Sequence, residues 1–253
     1  VNMAGIFVED VNFVSEGYTL KGRVYRPADE GKYPAVAVCH GYPGDNKNMD
    51  LAEELALSGV AVLIFYYRGA WGSEGEYRFT YLAPSTRDAL KYLRSQPYVD
   101  VKRVGLVSHS MGAVPLTKIM SQDRGVKTGV LMSPASDIGA WSSAEALDAV
   151  VPVFMKMAEG KLSGWTEKRL REDVVEAAKS VNPMDNIIMV KAPLLVVVGS
   201  ADTVTVPESC RLLYNAANEP KLWVDIKDAD HSYTEHRLPL IDVVVGWLTA
   251  HLE

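Results

Sequence analysis

Val104-Gly105-Leu106-Val107-Ser108-His109-Ser110-Met111-Gly112 is the stretch whose reading decides the fold. A short apolar run leads into Ser110, and a helix opens from Gly112 through Leu116, Ile119 and Met120. A serine on a tight strand-to-helix turn is held in a strained backbone conformation, with its hydroxyl lifted above the sheet. Small residues two positions to either side avoid clashes in that turn. The helix N-terminus beneath it adds backbone N–H groups and a positive dipole end, both favourable to a developing oxyanion. The first small position is Ser108 rather than glycine. Ser73, in Trp71-Gly72-Ser73-Glu74-Gly75, follows no strand directly and reads as part of a turn.

Outward from this stretch, the chain alternates strands with helices. Residues 35–39, 60–65, 104–107, 129–132 and 194–198 are short apolar runs rich in Val, Leu and Ile. Such runs suit strands covered on both faces of a parallel sheet. Asn48 to Ser58 reads as a helix closed by Gly59, and Ser85-Thr86-Arg87-Asp88 reads as the cap of a helix carrying Leu90 and Leu93. Strand–helix alternation predicts an α/β fold with a mostly parallel, doubly wound sheet. The first 26 residues differ: Leu20, Gly22 and Val24 alternate with Lys21, Arg23 and Tyr25, as in an antiparallel ribbon turning at Ser15-Glu16-Gly17. From Pro134 to Pro193 the interval is far longer than one crossover helix needs, and it holds amphipathic stretches at 143–159 and 166–180. The expectation is a core of 1–134 and 193–253, with 135–192 inserted after the sixth strand as a small helical cap. Two extra packing helices with no role at the site are the alternative.

A serine nucleophile needs a base, and the chain has five histidines. His40 ends a strand, His109 adjoins Ser110 and projects into the packing of the turn, and His251 lies in the last helix. His231, in the loop Lys227-Asp228-Ala229-Asp230-His231 after the last strand, can reach across the carboxyl edge of the sheet. His236, at the start of the final helix, is its rival. A metal reading of Asp228, Asp230 and His231 lacks a second histidine at ligand spacing. The acid should follow another strand end. Asp202, in Gly199-Ser200-Ala201-Asp202-Thr203, can accept the second N–H of the base and fix its tautomer. A plain turn role for Asp202 is the alternative, with Glu208 in reserve. His40-Gly41-Tyr42-Pro43-Gly44 follows a strand, and the amides of Tyr42 and Met111 are the candidate oxyanion donors.

The order Ser110, Asp202, His231, the His-Gly loop, Tyr67-Arg68-Gly69-Ala70-Trp71-Gly72-Ser73 and the Gly-x-x-Asp turn together resemble the serine hydrolases of the α/β-hydrolase superfamily. Small bacterial and archaeal carboxylesterases, dienelactone-hydrolase-like proteins and the catalytic domains of acylaminoacyl peptidases look most similar, from about Arg26 to the end outside the cap. Dienelactone hydrolases proper use a cysteine where this chain has Ser110, and haloalkane and epoxide relatives place an aspartate there. The resemblance implies an acyl-enzyme mechanism on Ser110 that requires no cofactor and no metal.

Short- to medium-chain acyl esters are the expected substrates, with acyl thioesters as the near rival and acyl peptides further off. Coenzyme A would need basic residues, for which Arg68, Arg78, Lys161, Lys168, Arg169 and Arg171 are available. Trp141, Phe154, Met155 and Trp165 are the candidate acyl pocket, or else packing residues of the cap itself. A non-catalytic binder on the same fold is a separate reading, weakened by the presence of all three triad positions.

Composition narrows the class. Of the 253 residues 48% are hydrophobic and 23% charged, an ordinary globular mix. The net charge of −6, without a basic block, points away from nucleic acid. Two cysteines without ligand spacing suggest reduced thiols, and Val1-Asn2-Met3-Ala4-Gly5 lacks the features of a signal peptide. No apolar run is long enough to span a bilayer. These features predict a cytoplasmic protein without a membrane span. Glutamine occurs only at Gln96 and Gln122, a scarcity that points to a hot habitat. Nothing in the sequence assigns an oligomeric state.

Overall fold

The computed structural model describes residues 5–45 and 48–253; Val1 to Ala4, the start of the expected core, lie outside the described residues. β1 (Ile6–Ser15) and β2 (Tyr18–Pro27) form the antiparallel ribbon, joined by Glu16 and Gly17, both at positive φ. That two-residue turn matches the right-handed twist of the strands it connects.

The chain continues through β3 (Tyr33–Cys39), α1 (Met49–Leu57), β4 (Ala61–Phe65), α2 (Leu82–Arg94) and β5 (Val99–His109). It then passes through α3 (Ala113–Gln122), β6 (Val126–Met132), α4 (Ala144–Ala158), α5 (Glu167–Ser180) and α6 (Pro183–Ile187). β7 (Leu194–Gly199), α7 (Pro207–Ala216), β8 (Lys221–Ile226) and α8 (Arg237–His251) complete it. The eight strands form one sheet in the order β1-β2-β4-β3-β5-β6-β7-β8. β2 runs antiparallel to β4, and every pairing from β4 to β8 is parallel. This is the expected doubly wound sheet with its antiparallel N-terminal ribbon.

Both faces of the sheet are covered, which is why its central strands read as unbroken apolar runs. Val36, Val38, Val107 and Val197 pack under α1 and α8, beside Leu51, Leu55, Leu240 and Val244. Their neighbours Ala35, Ala37, Leu106 and Val196 face the other way, against Leu90, Leu93, Leu116 and Leu213 of α2, α3 and α7. Burial of each such leucine contributes on the order of 2 kcal/mol. Among the described residues no helix is long and apolar enough to cross a membrane.

One local expectation is corrected. Ser85 and Thr86 do not cap a helix; they lie inside α2, buried, with hydroxyls donating to the Tyr81 and Leu82 carbonyls at 2.8 Å. A 3₁₀ turn, Phe79–Tyr81, runs directly into the helix and moves its start upstream. The two helices expected between β6 and β7 form where the pattern placed them. Ser143 caps α4 by accepting from the Ala146 N–H, and Thr166 caps α5 by accepting from the Arg169 N–H. The shorter α6 packs against α3 and α7, on the flank of the sheet.

Candidate active site

Strand β5 delivers Ser110 to a sharp turn at its carboxyl end. Ser110 has φ of 53° and begins a 3₁₀ turn, Ser110–Gly112, that feeds α3. Left-handed backbone at a non-glycine residue costs of order 1–3 kcal/mol and persists only where the surroundings hold it. Gly112 shows how tightly they do: a Cβ there would lie 2.1 Å from the Cys39 carbonyl oxygen of β3. Ser108 fits in place of glycine because its hydroxyl donates to the Val130 carbonyl of β6 at 3.2 Å. The chain after β3 crosses close by, since a Cβ on Gly41 would stand 3.1 Å from Ser110 Cβ. Among the described residues no turn, loop or cap hydrogen bond engages the N–H of Tyr42.

The carboxyl ends of β7 and β8 bring Asp202 and His231 together. His231 Nδ1 lies 2.8 Å from Asp202 Oδ2. Asp202 Oδ1 accepts from the Val204 and Thr205 N–H groups at 2.8 and 3.0 Å, and the Thr205 hydroxyl donates to Oδ2 at 2.9 Å. Burial pushes the Asp202 carboxyl up, but the hydrogen bond and charge of His231, with the donors around it, outweigh burial and hold it at about 2. Asp202 is therefore ionised at neutral pH and fixes the proton of His231 on Nδ1. That leaves Nε2 free to take a proton.

Two further histidines support the arrangement. His109 is buried against His231: its Nε2–H donates to the His231 carbonyl at 2.8 Å, and the two rings lie 4.8 Å apart. Its projection into the packing of the turn was expected; its bond to the His231 carbonyl was not. Burial, together with the neighbouring His231 charge, pushes the His109 imidazole down to about 4, so it stays neutral. His40 is also pushed down to about 4 by burial. Its Nδ1–H donates to the Gly41 carbonyl at 2.7 Å.

The rivals named from sequence lie elsewhere. His236 precedes α8, with its N–H on the Tyr233 carbonyl, and Glu208 is exposed on α7. Asp230 ties its own loop, accepting from the Ser232 and Thr234 N–H groups at 3.0 and 2.9 Å. Among the described residues no group of three or more His, Cys, Asp or Glu could hold a metal ion.

The four candidate pocket residues are half-buried, and the rings of Trp141 and Phe154 meet edge to face at 5.5 Å. Trp141 lines a cavity of about 340 Å³ with Met184, Val204, Val206 and Leu212, which also reaches Thr205 and Ala135. Phe154 and Trp165 also pack their rings around Tyr42 and Phe79, at centroid distances of 4.8 to 6.4 Å. Met155 packs against the core below α4.

Comparison with known proteins matches the sequence to a family. The sequence profile of the prolyl oligopeptidase family matches residues 52–253. The chain belongs to the prolyl oligopeptidase family. Within the chain, this family match spans the turn at Ser110, the loop of Asp202 and the loop of His231, and it agrees with the resemblance to serine hydrolases of the α/β-hydrolase superfamily. An uncharacterized protein of Mycobacterium tuberculosis, Rv2307c, is 29% identical over 221 residues, covering 87% of this chain and 70% of that protein. YuxL of Bacillus subtilis, described as an uncharacterized peptidase, is 25% identical over 96% of this chain but only 39% of its own length. Among solved structures, the Pyrococcus furiosus esterase Pf2001 superposes with a TM-score of 0.71 at 22% identity, over 98% of this chain and 94% of that one. The Penicillium α/β hydrolase GrgF gives 0.77 at 18% identity, over 97% and 99%. At these identities the superpositions establish the α/β-hydrolase fold.

Proposed function

We propose that this protein is a serine carboxylesterase that hydrolyses short- to medium-chain acyl esters through an acyl-enzyme on Ser110. Two observations support the reading: the 2.8 Å bond from His231 Nδ1 to the buried Asp202, and a serine held at φ of 53° at the end of β5. His231 Nε2 takes the Ser110 proton as Oγ attacks the acyl carbon. The N–H groups of Tyr42 and Met111 receive the oxyanion, and the protonated base returns its proton to the leaving alcohol. Water, deprotonated by His231, then attacks the acyl carbon and releases the acid and free Ser110. We assign α4 and α5 as the cap over this site, and the Trp141 cavity as its apolar recess.

Family membership and the likeness to YuxL favour a second reading, cleavage of acyl peptides by the same machinery. The test is the initial rate on p-nitrophenyl esters from acetyl to dodecanoyl beside acyl-peptide p-nitroanilides, with Ser110→Ala as blank. A Ser110-dependent optimum at short or medium esters is expected. Ser110-dependent cleavage confined to the anilides would replace esterase with peptidase.

A further inference from the structure

Tyr42 serves two parts of the molecule at once. Its backbone follows Gly41 beside Ser110, and its side chain leaves the sheet edge for the helices above. The Tyr42 hydroxyl donates to the Phe154 carbonyl of α4 at 2.6 Å and accepts from Trp165 Nε1–H, just before α5, at 2.7 Å. The ring is gripped as well, by Phe154 at 4.8 Å, Phe79 at 5.7 Å and Tyr77 at 5.8 Å. Both hydroxyl bonds are short for their types, and their partners lie 112 and 123 residues away in sequence. On the other side, the carbonyl of Gly41 is held by His40 at 2.7 Å. The Gly41 carbonyl and the Tyr42 N–H belong to one planar peptide unit and point in opposite directions. A peptide anchored at its carbonyl, and followed by a side chain anchored in the cap, has little freedom left at its N–H.

We propose that Tyr42 is a positioning residue that couples cap docking to the oxyanion donor: its hydroxyl clasps Phe154 and Trp165, and that clasp sets its own amide opposite Ser110. The proposal rests on the esterase reading for its catalytic consequence, though not for the coupling itself. When α4 and Trp165 are seated, the Tyr42 N–H is in place for an acyl oxyanion. When they lift, the donor is displaced, so an acyl group is activated only beneath a closed cap. Specificity then follows from what the closed cap accommodates rather than from the triad.

The decisive variant lies away from the reacting atoms. Trp165→Phe removes the indole N–H and keeps an aromatic ring in the cluster. It is expected to lower kcat about 3- to 30-fold, short of the ~100-fold or more that follows outright loss of an oxyanion donor. KM and the pH profile should change little, because neither the base nor its acid is touched. Tyr42→Phe should do the same, and the double variant should be no worse than Tyr42→Phe alone, as for residues acting through one link. Hydrogen exchange gives a readout that needs no substrate: the Tyr42 amide should exchange faster in Trp165→Phe than in wild type. Unchanged exchange at Tyr42, or a Trp165→Phe enzyme with wild-type kcat, overturns the coupling. Faster exchange in a protein that hydrolyses no ester would leave the coupling standing and bring down the esterase reading instead.

Discussion

Asp173 in helix α5 and Asp202 in the loop after β7 are matched in nearly everything except their outcome. They are 2% and 3% exposed. Each accepts from two backbone N–H groups and one threonine hydroxyl: Phe79, Thr80 and the Thr80 side chain for Asp173, Val204, Thr205 and the Thr205 side chain for Asp202. Burial pushes both carboxyls up. At Asp173 burial wins, and its pKa is raised. At Asp202 the imidazole of His231 is added to the same donor set, and the carboxyl is held at about 2. Neutral donors and the charge of Arg78 do not offset burial at Asp173, whereas a hydrogen-bonded imidazole able to carry positive charge suits the same cradle to the acid role proposed for Asp202.

The sharpest break in that comparison is Asp202→Asn. With the tautomer of His231 no longer fixed, kcat should fall by about 10⁴-fold while the fold survives. Steady-state rates beside a thermal melt check it, and a fall of only a few-fold would place the acid elsewhere. Asp173→Ala should reverse the pattern. It leaves the N–H groups of Phe79 and Thr80 buried without their acceptor, so urea unfolding should show a loss of about 3 kcal/mol. The folded fraction should keep its kcat.

The two carboxyls also answer acid in opposite ways. Asp202 has its folded pKa depressed, so its contribution is present above the unfolded value of about 3.9 and lost as pH falls through about 2. Asp173 has its folded pKa raised, so ionisation opposes folding, and acidification relieves that opposition. Urea midpoints taken at pH 5 and pH 3 should therefore fall less in Asp202→Asn than in wild type, and further in Asp173→Asn. The reverse order would show the signs to be wrong. The smallest effect belongs to the other tie of α5 to the core, Arg169 with Glu76 at 2.7 Å, because both side chains are about 40% exposed. Glu76→Gln should cost under about 1 kcal/mol, and less at high salt.

Sequence patterns reach as far as local physics does. The strained turn at Ser110, the apolar runs of β3 to β7 and the capped helices α4 and α5 each rest on residues within a few positions of one another. For that reason they were legible in the chain. Ser85 and Thr86 show the limit. Their local preference for a helix start was overruled by the 3₁₀ turn before them and by burial of both side chains. What stayed hidden depends on distant partners. His109 meets the His231 carbonyl from 122 residues away, and Asp173 meets Phe79 from 94. No periodicity marks either contact. A buried acid on a charged helix reads as another solvated side chain until the fold covers it.

The account stands on Ser110 as the residue that becomes acylated. Intact mass and peptide mapping after exposure to an alkyl fluorophosphonate test this most directly. The account predicts one adduct per chain, on Ser110, with none in Ser110→Ala and much slower capture in Asp202→Asn. An adduct on another residue, or ester hydrolysis that persists in Ser110→Ala, would contradict it.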